Sequence, residues 1–211
     1  MRSVVFSTHL DDAVLSCYGV LGPETTVVTV LAGLPPDGPP GHWDVRGGAA
    51  SSPERVQERQ EEDRRALARS GSRHVHLDFL DGQYWPHHGA PTVEAIAESI
   101  RAYADSAAQV FAPAGIENPD HKLVRDAVLA ARPDATLYAD LPYALHPGFA
   151  LPVEVRDADR RQHDVELDAS VITDKLASVH CYVTQLPYLL EDFGDFMHPA
   201  GLGREVLWRR G

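Results

Sequence analysis

The feature of this sequence that most constrains its fold is a repeated alternation of short apolar runs with longer helical patterns. The strand-like runs, which are apolar, β-branched or alternating, are 2–7, 25–31, 73–80, 109–113 and 136–139. The segments with helical patterns are 12–21, 53–70, 92–107 and 122–131. Strands that alternate with helices form a mostly parallel, Rossmann-like sheet with helices on both faces, so the sequence predicts an α/β fold.

The pattern changes after Pro152. Residues 153–156 and 163–167 predict a polar antiparallel pair, 172–182 a helix and 205–208 a last strand, which gives a small antiparallel C-terminal addition. The chain has 211 residues and no internal repeat. This length fits one domain with a sizeable core, so we expect residues 1–211 to form a single domain.

Composition argues against several classes of partner and location. The formal net charge is −12 at pH 7, so binding to nucleic acid or to an anionic membrane surface is not expected. No apolar run could span a bilayer, the N-terminus lacks a secretory pattern, and two cysteines are too few for a disulfide framework. We expect a cytoplasmic protein that binds a small molecule; whether it forms a homo-oligomer stays open.

Two segments leave alternatives open. Residues 34–52 are rich in Pro, Gly and Ser, and form either a flap beside a pocket or a solvated connection. The helix predicted over 53–70 carries Glu61, Glu62 and Asp63. We expect these carboxylates mostly to form a solvated face, and the alternative is that one of them reaches the functional site.

The end of the first strand carries groups that can do chemistry. His9, Asp11 and Asp12 lie where this strand gives way to the first helix. In open α/β sheets, ligands and catalytic groups collect at the carboxyl ends of strands. His and Asp both bind divalent metals, although an Asp pair at this position also caps helices.

A second strand end strengthens the functional interpretation. Asn118, Asp120 and His121 follow the strand at 109–113 and precede a helical pattern. Two such loops can face one crevice, where His9, Asp12 and His121 would hold a catalytic zinc and leave one coordination position open.

Two further carboxylates complete this hypothesis. Asp11 is placed to accept a proton from water, because Asp12 is the expected metal ligand and its carboxylate is not available for this role. Asp120 is expected to orient a neighbouring imidazole. No dinucleotide fingerprint, phosphate loop or Gly-x-Ser-x-Gly motif is present, so the corresponding chemistries are not supported.

These motifs resemble those of the PIG-L/LmbE-type N-acetylglucosaminyl deacetylases. Residues 8–13 read Thr-His-Leu-Asp-Asp-Ala, where the family has Pro/Ser-His-Pro-Asp-Asp-Glu. Residues 118–121 read Asn-Pro-Asp-His, where the family has His-Pro-Asp-His. Weaker similarity covers an Arg-x-x-Glu-Asp helix at 59–63 and the segments 138–143 and 175–185.

The resemblance implies zinc-dependent removal of an N-acetyl group, with His9, Asp12 and His121 as ligands and Asp11 as the base. Asn118 departs from the pattern, because the family's His at this position is thought to stabilise the oxyanion or protonate the leaving group. Asn can donate a hydrogen bond to an oxyanion but cannot shuttle a proton. Asp11 would then act as base and later as acid, unless a loop residue serves: Tyr84, Tyr143, His87, His88 or His146.

Three functions therefore stay open on the sequence. The first is a zinc amidohydrolase that deacetylates an amino sugar or its conjugate. The second is a family member that acts on a different, non-sugar amide in a specialised biosynthetic pathway, which the change at Asn118 favours modestly. The third is a non-catalytic metal-binding protein with the same fold, which the complete set of ligands and base argues against.

Overall fold

A single seven-stranded sheet organises the protein. The computed structural model describes residues 2–211. The strands are β1 (Ser3–Ser7), β2 (Thr25–Thr29), β3 (Arg73–His76), β4 (Gln109–Pro113), β5 (Thr136–Tyr138), β6 (Arg160–Glu166) and β7 (Arg204–Arg210). Their order is β3-β2-β1-β4-β5-β7-β6. The first five strands are parallel to one another, and β7 runs antiparallel to both β5 and β6.

Helices connect these strands. They are α1 (Asp12–Ser16), α2 (His42–Arg46), α3 (Ser52–Ser70), α4 (Trp85–His88), α5 (Val93–Ser106), α6 (Pro119–Ala131), α7 (Ala169–Val179), α8 (Leu186–Phe193) and α9 (Pro199–Leu202). The longest, α3, begins after the Ser51 cap and ends at Gly71, whose φ of 76° closes the helix in the left-handed conformation. Within residues 2–211, no helix is both long and apolar enough to cross a membrane.

Alternate side chains of the strands point to opposite faces of the sheet and contribute to two buried cores, one on each face. One core joins Val4 and Phe6 of β1 to residues of α5 and α6 such as Ile100 and Val124. The other joins Val5 of β1 to residues of α1, α3 and α7. This is the α/β architecture with helices on both faces that the alternating pattern predicts.

The strand order places a crevice beside β1. From β1 the chain proceeds outward through β2 to β3, whereas from the neighbouring β4 it proceeds in the opposite direction to β5. The loops after β1 and β4 therefore diverge at the point where strand order reverses, which is where open α/β sheets bind ligands.

The first helix is shorter than the sequence predicts. The helix predicted over 12–21 is wrong beyond Ser16. The α-helix ends there, Cys17 has a φ of −141°, and Tyr18–Val20 form a 3₁₀ turn. The cause is a tertiary contact, since the backbone N–H groups of Tyr18 and Gly19 donate to the carboxylate of Glu205 on β7.

The predicted pairing of 153–156 with 163–167 is also wrong. Residues Val153–Arg156 form a 3₁₀ turn, and β6 pairs along its whole length with β7. Arg160 begins β6 and donates to the carbonyl oxygens of Ala135 and Trp208, so it anchors this strand against the end of the sheet. The antiparallel C-terminal addition is thus present, with the strand predicted at 205–208 as its centre. The sequence patterns give no indication of α8.

Candidate active site

The turn after β1 holds its polar side chains in fixed positions. The Ser7 hydroxyl donates to the carbonyl oxygen of His9 and accepts from the backbone N–H of Ala13. The backbone N–H of His9 in turn donates to Asp12 Oδ2 at 2.8 Å. These local bonds place His9, Asp11 and Asp12 at the carboxyl end of β1.

The loop after β4 turns sharply into α6. Gly115 has a φ of 79° and Glu117 a φ of 57°, and an added side chain at Gly115 would meet the guanidinium of Arg125. Asn118 then caps α6, since its Oδ1 accepts from the backbone N–H of Asp120, and a proline follows the cap. His121 thereby lies in the first turn of the helix, facing the loop after β1.

The structure brings together the three predicted ligands. Ligand atoms of His9, Asp12 and His121 all lie within 4.8 Å of one another. Asp12 Oδ2 lies 3.5 Å from His9 Nδ1 and 3.4 Å from His121 Nε2. Two imidazoles and one carboxylate are a donor set that suits a divalent ion such as zinc.

An orphaned nitrogen supports this fit. His121 Nδ1 lies 2.9 Å from the carboxylate of Asp140, which can only accept, so Nδ1 carries the proton. His121 Nε2 is buried and has no hydrogen-bond partner among the described residues. When His121 is neutral, this tautomer presents the Nε2 lone pair to the space beside Asp12, as metal-binding histidines do.

Sequence reasoning missed Asp140. Its other oxygen accepts from the backbone N–H of Ile116, so one carboxylate, fully buried, fixes both His121 and the loop that carries it. The available signals were its position two residues after β5 and its place in the weakly similar segment 138–143, but a lone acidic residue there is common in turns.

Asp120 contacts the other imidazole. Its Oδ2 lies 2.9 Å from His9 Nε2 and accepts from the backbone N–H of Gly82 at 3.0 Å. A Cβ at Gly82 would collide with this carboxylate, so only glycine permits the close approach. Asp120 thus touches an imidazole as the sequence predicts, and the imidazole is that of His9.

The two adjacent carboxylates have opposite electrostatic environments. Burial, and next the charge of Asp12, raise the pKa of Asp11 to about 7. For Asp12 burial acts in the same direction, but the nearby His121 and His9 hold its pKa below the usual value. Asp12 is therefore the carboxylate that stays ionised beside the imidazoles, whereas the neighbouring Asp11 binds a proton more readily.

These groups face one cavity with a volume of about 380 Å³. All six residues predicted for the site lie in its wall: His9, Asp11, Asp12, Asn118, Asp120 and His121. Four aromatic side chains also line it: Trp43, Trp85, Tyr143 and Tyr188. Segment 34–52 contributes to this wall through α2, which agrees with a flap rather than with a purely solvated connection.

Comparison with known proteins identifies the family. Residues 4–132 match the model of the PIG-L family, described as GlcNAc-PI de-N-acetylase. The protein belongs to the PIG-L family. The match includes both motif loops of the cavity. Comparison with curated proteins finds no match.

Solved structures of deacetylases resemble this PIG-L protein along its whole length. A deacetylase triple mutant of the teicoplanin biosynthetic pathway is 30% identical, with a TM-score of 0.82, over 100% of this chain and 99% of that one. The deacetylase of the antimicrobial A40926 pseudoaglycone is 29% identical, with a TM-score of 0.76, over 99% and 96%. A zinc-inhibited form of the teicoplanin deacetylase is 27% identical, with a TM-score of 0.77, over 99% and 97%.

Helix α3 of this PIG-L protein, which carries the Arg-x-x-Glu-Asp pattern, contacts a segment that lines the cavity. The solvated face predicted for α3 is wrong for Glu62 and Asp63, which are buried. Glu62 accepts from the backbone N–H and the hydroxyl of Thr184, and the neighbouring Gln185 donates to the carbonyl oxygen of Leu10. Glu62 therefore fixes a cavity segment that contacts the residue next to Asp11.

Arg46 and its charged and aromatic contacts on α2 and α8, here called the clasp, lie at one side of the cavity. The Arg46 guanidinium lies 4.9 Å from the ring centre of Trp43 and 5.1 Å from that of Tyr188. It also donates to Glu191 and Asp192 at the end of α8. The clasp joins α2 to α8 at the wall of the cavity.

We expect Asp140→Asn to weaken zinc binding by roughly 10-fold to 100-fold, the usual cost of losing a carboxylate that orients a ligand. His121 Nδ1 and the Ile116 N–H bind different oxygens of Asp140, and in Asn one of these two positions becomes an NH2 group, which can only donate. Competition with a chromophoric chelator measures the affinity, and Asp134→Asn, which changes an exposed carboxylate, is the control. An unchanged zinc affinity would show that Asp140 does not set the tautomer of His121.

Proposed function

We propose that this PIG-L protein is a zinc-dependent amidohydrolase that removes an N-acetyl group from the amino sugar of a larger conjugate. The observation that carries the proposal is the convergence of His9, Asp12 and His121 on one point, with Asp11 beside them in the same cavity. Membership of a de-N-acetylase family and whole-length similarity to deacetylases support the same reaction.

The residues divide the chemistry as follows. His9, Asp12 and His121 would hold a divalent ion, which when bound would lower the pKa of water and polarise the amide carbonyl. Asp11 takes the proton from the attacking water, since it touches the cavity but is not one of the ligands. The departing amine needs a proton, and Asp11 can return the one that it accepted. Asp120 holds the ring of His9, and Asp140 holds that of His121.

The cavity wall favours a conjugate over a free sugar. Trp43, Trp85 and Tyr188 add aromatic surface beside the polar centre, and aromatic walls bury the apolar parts of a ligand. The solved relatives are named for teicoplanin and for the A40926 pseudoaglycone. By this likeness we propose a substrate whose N-acetyl amino sugar is attached to a bulky, partly apolar group.

Acetate release from a panel of N-acetyl compounds tests the proposal. The panel contains free N-acetylglucosamine, N-acetylglucosaminides with aromatic aglycones, and N-acetyl amines without a sugar. We expect the aromatic glycosides to be the best substrates. Activity on the sugar-free amines alone would favour the second candidate, a deacylase of a different amide.

Removal of the metal should abolish this activity. We expect purified protein to hold about one zinc ion per chain, and dialysis against a chelator should reduce acetate release to background until zinc is restored. Elemental analysis before and after dialysis measures the ion. A metal-free preparation that keeps its full activity would contradict the proposal.

A further inference from the structure

The Asn118 amide has a defined orientation. Its Oδ1 accepts from the backbone N–H of Asp120 at 2.8 Å, which caps α6. The Nδ2 group therefore points the other way, and it lies 2.9 Å from the hydroxyl of Tyr143. Because an amide nitrogen only donates, the Tyr143 oxygen is the acceptor of this bond.

This bond leaves the proton of Tyr143 available. A phenol oxygen that accepts one hydrogen bond still has its own O–H to donate, and it points that O–H away from the first partner. No acceptor for it is found among residues 2–211. Tyr143 lines the cavity together with His9, Asp11 and His121, so an acceptor in the cavity can receive it.

Packing fixes the Tyr143 ring in this position. Its ring centre lies 5.2 Å from that of His121 and 4.9 Å from that of Phe193, both in edge-to-face contact. Phe149 stacks on it at 6.2 Å. A phenol, with an ordinary pKa of about 10, keeps its proton at neutral pH. A rigid, protonated donor beside a metal-binding histidine is the arrangement that stabilises a developing oxyanion.

The other loop residues, which the sequence offers as alternative proton donors to the leaving amine, are elsewhere. Tyr84 donates its hydroxyl to Asp44. His87 and His88 are exposed and do not line the cavity. His146 is exposed, stacks on Phe149 and accepts from the backbone N–H of Gly148.

We propose that Tyr143 is a catalytic residue that donates a hydrogen bond to the amide carbonyl oxygen as negative charge develops on it, and that Asn118 is the positioning residue that turns the Tyr143 proton toward the substrate. The proton remains on Tyr143 throughout, so this role requires no change in its charge. The inference rests on the proposed function and assigns to two residues the task for which Asn118 alone was considered.

Tyr143→Phe tests the donor. Loss of one oxyanion donor costs about 10²-fold to 10³-fold in kcat, and we expect KM to change by only a few-fold. Zinc content should be unchanged, because Tyr143 is not one of the ligands. Tyr103→Phe removes a hydroxyl from α5, outside the cavity, and is the matched control. If kcat of Tyr143→Phe stays within about twofold of wild type, well under 1 kcal/mol, the donor role is overturned.

Asn118→Asp tests the positioning role separately from the structural one. Asp is as good a helix cap as Asn, so α6 should keep its N-terminus. A carboxylate cannot donate, however, and would draw the Tyr143 proton toward itself. We expect a loss of kcat similar to that of Tyr143→Phe, with no loss of thermal stability. Wild-type kcat in Asn118→Asp would overturn the positioning role.

The double variant distinguishes this mechanism from a simple effect of added charge. If the two residues act through one hydrogen bond, the Asn118→Asp and Tyr143→Phe double variant should be within about threefold of Tyr143→Phe alone, because coupled residues are not additive. If the new charge acts independently, the two losses multiply, which would contradict the positioning role.

A binding measurement separates failure of this inference from failure of the proposed function. A phosphonate analogue of the N-acetyl glycoside mimics the tetrahedral oxyanion, and calorimetry gives its affinity. We expect Tyr143→Phe to weaken this affinity by roughly 10²-fold. An unchanged affinity alongside active wild type overturns only the Tyr143 role. If wild-type protein with zinc bound neither binds the analogue nor releases acetate from any N-acetyl compound, the proposed function itself fails.

Discussion

Asp11→Asn should lower turnover by roughly 10²-fold to 10⁴-fold, the usual contribution of general acid–base catalysis. The amide has nearly the same shape as the carboxylate but cannot accept the proton of water. Asp11 lies in the cavity wall, directly next in the chain to Asp12, the proposed metal ligand. The measurement is acetate release at saturating substrate, with the zinc content of both proteins brought to the same value.

Two controls separate the base from the metal site. Asp105→Asn changes an exposed carboxylate at the end of α5 and should leave turnover unchanged. Asp12→Asn should lose zinc as well as activity, whereas Asp11→Asn should keep its zinc. Turnover of Asp11→Asn within a few-fold of wild type would move the role of base to another residue.

The placement of the candidate site was predictable because it depends on topology. His9 and Asp12 follow one buried strand, and Asn118 and His121 follow another. Once the first five strands are parallel, the two loops lie at the same edge of the sheet. Sequence periodicity identifies strands, and the right-handed crossover of parallel units restricts their order. Few arrangements of this chain would separate the two motifs.

The residues that hold the site in place were not predictable in the same way. Asp140 acts on His121 only because β5 lies beside β4, and a single carboxylate in a loop gives no periodic signal. Glu62 and Asp63 lie on a helix whose charged composition suggests exposure, yet the chain near Thr184 and Tyr182 covers them. Burial of this kind depends on distant segments, which local patterns do not encode.

The C-terminal region shows the same limit for strands. The structure pairs β6 with β7, although about forty residues separate them in the chain, a loop closure that costs only slightly more than a shorter one. The alternating segment Val153–Arg156 offered a nearer partner by its pattern. Val155 is buried within a 3₁₀ turn instead, so an apolar side chain there serves packing without a strand.

Lys175→Met should lower the free energy of unfolding by about 3–5 kcal/mol, the usual effect of removing one partner of a buried ion pair. The ammonium of Lys175 on α7 is fully buried and lies 2.8 Å from Glu205 Oε1. The same carboxylate accepts from the backbone N–H groups of Tyr18 and Gly19. Without Lys175, the buried carboxylate of Glu205 keeps two hydrogen bonds but loses the cation with which it pairs.

Urea denaturation measures this loss as a lower midpoint. An unchanged dependence of the unfolding free energy on urea concentration would show that the same surface becomes exposed on unfolding. Arg204→Met removes one partner of an exposed pair with Asp164, and should cost no more than about 1 kcal/mol. Adding Glu205→Gln to Lys175→Met removes the stranded charge, so the double variant should be more stable than Lys175→Met alone. If the two substitutions instead lower the free energy of unfolding additively, desolvation of the Glu205 carboxylate is not the cause. In that case the packing of α7 against the segment after α1, rather than the ion pair, holds this part of the fold together.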